Sequence, residues 1–121
     1  MSSRPEELRE RTKKFALRII RLFRSLPYKT DTQVLGKQLL RSGTSVAANY
    51  RAVCRARSKA EFIARIGIVA EEADETVLWL ELLIESGVIA HEKAGELLSE
   101  AKELAAIFTA SQQTSKRGSK L

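Results

Sequence analysis

Side chains that carry catalysis or hold metals are scarce in this chain. Its 121 residues include one histidine (His91), one cysteine (Cys54), one tryptophan (Trp79) and two prolines. A single cysteine excludes an intramolecular disulfide and suits a reducing compartment. His91 and Cys54 have no neighbouring His or Cys to complete a metal site. The acids Glu71, Glu72, Asp74 and Glu75 lack the Glu-x-x-His pairs of a di-iron bundle. No glycine-rich phosphate loop is present. No apolar run approaches the roughly 18 residues of a membrane span. The opening stretch MSSRPEELRERTKK has no apolar signal-peptide core. The expectation is a cytoplasmic protein that is not an enzyme, with no cofactor, no metal and no membrane contact.

What the chain does contain is charge, unevenly placed. Residues 1–65 hold 16 Lys and Arg against 5 Asp and Glu; residues 66–121 hold 5 against 10. Two readings are open. The basic half binds a polyanion, or it meets the acidic half within the bundle or between subunits.

Apolar spacing marks four helices and no strand. The first runs from Pro5, which suits a first helical position, to Leu26, just before Pro27. Its buried face is Leu8, Phe15, Ile19, Leu22, Phe23 and Leu26. The second follows Asp31, a candidate N-cap, and ends near Ala56. It buries Leu35, Leu39, Gly43, Val46, Tyr50 and Val53. A mid-helix glycine costs about 1 kcal/mol relative to alanine, so Gly43 predicts close packing of a neighbouring helix. The third opens on Ser58-Lys59-Ala60-Glu61, a capping box, and ends at Ser86 with Gly87 as the C′ residue. Its face is Phe62, Ile66, Val69, Ala73, Val77, Leu80 and Ile84. The fourth runs from His91 to Ser111 over Leu97, Leu98, Ala101, Leu104 and Phe108. Short connections favour antiparallel neighbours, so the expected fold is all-α, an antiparallel up-down four-helix bundle. Residues 1–111 form that domain, and 112–121 a basic, disordered tail.

Three surface features stand out. Ile68, Trp79 and Leu82 fall opposite the core stripe of the third helix. A helix apolar on two sides needs cover on both, which predicts a subunit interface. Arg11, Lys14, Arg18 and Arg21 share one arc of the first helix, and Lys37, Arg41, Arg51 and Arg55 one arc of the second. Small Thr44 and Ala48 lie between the latter. Long cations over small side chains admit a phosphate backbone, each neutralising about one phosphate. No base-reading motif accompanies them, so contact with RNA or DNA is expected through phosphates. Ser42, Ser45 and Asn49 line the edge of the apolar face on the second helix. Ser45 has no base in reach, since His91 is the only histidine. The line is expected to fix helix register, with Asn49 hydrogen-bonded across the bundle.

The letters of this chain carry a resemblance as well. Ser42-Gly43-Thr44-Ser45-Val46 with Asn49, then Ser58-Lys59-x-Glu61-Phe62, Glu72-Ala73-Asp74-Glu75-Thr76 and Trp79-Leu80-Glu81-Leu82-Leu83, resemble the bacterial four-helix-bundle proteins related to the 23S ribosomal RNA intervening-sequence protein. The likeness covers about Phe15 to Phe108. It implies a ring-like homo-oligomer, a pentamer. It also implies a place in ribosomal RNA insertions or, in one branch, beside a reverse transcriptase as a nucleic-acid-binding accessory protein. Many members carry an acid three residues after the helix-two Asn. Here that position is Ala52, which would leave Arg51 or Arg55 without that partner.

Overall fold

The computed structural model describes residues 4–119. They form α1 (Pro5–Arg24), α2 (Thr30–Cys54), α3 (Lys59–Glu85) and α4 (His91–Ser119). No strand occurs among the described residues. Each helix packs on the next in sequence, and α4 returns to α1 along a thinner seam.

Residues that meet across each seam run in opposite order. Gly36 lies against Phe23 and Leu26, while Gly43 lies against Ile19. Ser42 meets Thr76, and Ala52 and Arg55 line one hollow with Glu61 and Arg65. Glu81 faces Lys102, and Ile63 faces Gln112. Descending pairs of this kind are those of antiparallel neighbours. Phe15, Ile19, Leu39, Val46, Ile66, Val69, Leu80, Leu83, Leu104 and Phe108 are all but inaccessible and form the core. Fully burying one such side chain contributes about 1.5–3 kcal/mol. Gly43 is explained by Ile19: a Cβ there would sit 2.8 Å from Ile19 Cγ1.

Local signals set most helix ends. Ser58 Oγ accepts the Glu61 N–H at 3.0 Å, the first half of the capping box. No return bond from the Ser58 N–H to Glu61 is formed among the described residues; the Glu61 carboxylate accepts from Arg65 Nε at 3.1 Å. Gly87 takes φ +82°, the left-handed conformation that closes α3. Asp31 is not the cap of α2. The helix starts one residue before it, with Lys29 as N-cap, and Asp31 Oδ1 accepts the Thr32 N–H at 2.8 Å. α4 continues eight residues beyond Ser111, so residues 112–119 are helical rather than a loose tail. No proline interrupts that run, and Gln112 Nε2 donates to Ile63 O at 3.3 Å. This bond ties the added turns to α3. Residues 120 and 121 lie outside the described residues.

Candidate nucleic-acid interface

Antiparallel order gathers four helix ends at one end of the bundle: the starts of α1 and α3 and the finishes of α2 and α4. The sequence places Arg9, Lys13, Arg51, Arg55, Arg57, Lys59, Lys116 and Arg117 there. A groove of about 420 Å³ runs between α1 and α2, lined by Glu6, Arg9, Glu10, Lys13, Arg51, Cys54 and Arg55. Among the described residues its four cations have no ion-pair partner. They surround a groove with only two acids, so the local field favours an anion. Nearby Arg65 holds the Glu61 carboxyl below its ordinary range through its hydrogen bond.

The eight cations expected to act together do not share one surface. Arg11 reaches across to α4, donating from Nε to Glu100 Oε2 at 2.8 Å and from Nη2 to Glu100 Oε1 at 2.7 Å. Glu103 lies 3.1 Å from the same nitrogen. The Glu100 hydrogen bond raises the guanidinium pKa still further above its ordinary value. Arg41 reaches across to α3, with Nη1 3.0 Å from Glu72 Oε2 and Nη2 bonded to Glu75. These two arginines fasten helices together and are withdrawn from the candidate interface. Lys14, Arg18 and Arg21 lie on the outer side of α1, Lys37 on that of α2, and Arg51 and Arg55 at the groove. Arg9 and Lys13 were missed because the outward arc of α1 was assigned without the position of the end of α2. Antiparallel pairing of α1 with α2 was the available signal.

Ile68 and Leu82 are exposed, at 45% and 39%, and so is Leu78 at 45%. Leu78 continues the 3–4 spacing from Ile68 through Glu71 and Glu75 to Leu82, which could have revealed it. Trp79 differs from these three. It is half-buried against the core, and its indole Nε1 is buried with no acceptor. Of the Ser42, Ser45 and Asn49 line, Ser42 makes the link between helices. Its Oγ accepts from Thr76 Oγ1 at 2.9 Å, wholly buried. Asn49 does not bond across the bundle, since its Nδ2 donates to Ser45 O, one turn back, at 2.9 Å. That bond closes within one turn of α2, so the amide is spent on its own helix.

Among the described residues no group of three or more His, Cys, Asp or Glu is arranged to hold a metal ion. Burial, with Cys54 beside it, pushes the Tyr50 hydroxyl pKa up, so it stays protonated at neutral pH. Among the described residues no helix is long and apolar enough to cross a membrane.

The class this defines is an all-α bundle whose cations concentrate at one end. The model of the 23S rRNA-intervening sequence protein family matches residues 6–110, and the chain belongs to that family. It is similar to a solved structure from Bacteroides thetaiotaomicron VPI-5482, described as a protein with unknown function from the S23 ribosomal protein family. The two share 34% identity with a TM-score of 0.82, over 90% of this chain and 97% of that one. Among curated proteins none matches.

Proposed function

We propose that this protein is a non-enzymatic, homo-oligomeric helical bundle that binds RNA or DNA in the cytoplasm through its basic end, mainly by phosphate contacts. The family resemblance extends the proposal to a role beside a ribosomal RNA insertion or a reverse transcriptase. One observation carries it: Arg9, Lys13, Arg51 and Arg55 converge on one groove with no ion-pair partner among the described residues. Groups in that state gain most from phosphate, because no internal pair has to be broken. Several copies in an oligomer add avidity.

Filter binding at two salt concentrations tests it. Affinity falls with salt at a log–log slope of about 0.9 per phosphate neutralised on duplex DNA, about 0.7 on a single strand. Arg51→Glu with Arg55→Glu weakens binding to unrelated sequences alike and flattens that slope. Absence of binding to either nucleic acid at low salt by the intact protein refutes the proposal. The second reading, an oligomeric scaffold without nucleic acid, draws support from Arg11 and Arg41, whose charges meet acids of other helices.

A further inference from the structure

Two outward stripes of opposite sign lie at opposite corners of the bundle. On α3, Ile68, Leu78 and Leu82 are exposed, with Glu71 and Glu75 between them at alternating steps of three and four. That spacing keeps one seam facing a partner helix. On α1 the same steps carry Lys14, Leu17, Arg21 and Arg24, all exposed, with Leu17 at 41%. Glu71 and Asp74 on α3, and all three of those α1 cations, have no ion-pair partner among the described residues.

α1 and α3 sit diagonally across the bundle, each packed along its length on α2 and α4. The two stripes therefore point away from each other, and one protomer cannot bring them together. A two-fold contact of α1 with α1, or of α3 with α3, would oppose like charges. Contact of α1 with α3 of another copy opposes unlike charges and covers the exposed leucines and isoleucine. The outward stripe of α2 fits less well: Arg41 already holds Glu72 and Glu75, and Arg51 and Arg55 face the groove.

We infer that the outer face of α3 is the docking surface for the outer face of α1 in a second copy of this chain. This rests on the self-assembly part of the proposed function and deepens it. The contact joins two different surfaces, so it repeats in one direction and builds a ring or a filament rather than a two-fold dimer. It also assigns Lys14 and Arg21 to the subunit contact rather than to nucleic acid.

The test is the mass of the full chain by light scattering at micromolar concentration, with circular dichroism to confirm folding. Three variants are compared with the unaltered protein: Arg21→Glu with Arg24→Glu, Glu71→Arg with Asp74→Arg, and the chain carrying all four. All four positions are exposed, so the helices survive. The expected result is an assembly of several 13.5 kDa chains, at least a tenfold rise in dissociation constant for either pair, and recovery in the fourfold variant. A monomeric unaltered protein refutes self-assembly itself, and this inference with it. An oligomer indifferent to both pairs overturns the α1–α3 contact while self-assembly stands. So does loss in both pairs without recovery in the fourfold chain. Dissociation by Lys37→Glu, with the α1 pair silent, moves the acceptor to α2 and overturns the assignment as well.

Discussion

The seam between α2 and α3 and the seam between α1 and α4 are each fastened on the outside by one arginine, and behind it they differ. Behind Arg41 lies a full interface, with Ser42 and Thr76 hydrogen-bonded where both are fully buried, and with Val46, Val69 and Leu80 among the fully buried core of α2 and α3. Behind Arg11 the contact is thin. At that side's basic end an open groove of about 470 Å³ is walled by Leu8, Tyr50, Ile66 and Phe108, among others. An ion pair over a packed interface adds little, because apolar burial already holds the helices. An ion pair over a thin seam carries a larger share of the contact. The arginines reflect this: Arg11 is about a quarter exposed and bidentate on Glu100, while Arg41 is about half exposed.

The largest expected effect breaks the thin side from within. Phe108 is fully buried, and its ring centroid lies 5.3 Å from that of Tyr50. Phe108→Ala is expected to cost about 3–5 kcal/mol in urea unfolding, as for other buried Phe truncations. A loss under about 1 kcal/mol would mean that the seam collapses to fill the space. Next comes the direct comparison of the two clamps. Arg11→Ala should cost about 1–2 kcal/mol, the range for a partly screened charged hydrogen bond, and Arg41→Ala a few tenths. Equal losses in the same assay would erase the distinction between the seams. The smallest effect is local. Arg65→Ala should raise the Glu61 carboxyl toward its ordinary range, followed by NMR titration. A depressed carboxyl stabilises the fold above its unfolded pKa, and that contribution fades as pH falls through the folded one. Arg65→Ala therefore removes part of this acid-side dependence. An unchanged titration would assign the shift to Arg57 instead.

Much of this was legible in the letters. The 3–4 spacing of Phe15, Ile19 and Leu22, or of Ile66, Val69, Ala73 and Leu80, reports helix and buried face together, because both follow from 3.6 residues per turn. Ser58 and Gly87 marked helix ends because capping is chemistry within one turn. Gly43 announced a close neighbour, though not that Ile19 was the one. The candidate site was less legible. Arg11 and Arg9 look alike in the sequence, yet one is bidentate on an acid 89 positions away and the other faces an open groove. Asn49 looked like the cross-bundle link, but Ser42, one side chain deeper, took that part.

By itself the sequence determined the four helices, most of the core and the imbalance of charge between its halves, since each is set by local periodicity or by composition; Phe62, Val77, Ile84 and Leu98 are only partly buried, and Leu83 and Ala94 joined the core without being read there. Only the tertiary structure decided which cations are free, which end of the bundle is basic and which apolar stripes remain uncovered. Those depend on what lies across a seam, and a charge or an exposed leucine is defined by neighbours the chain brings from far along its length.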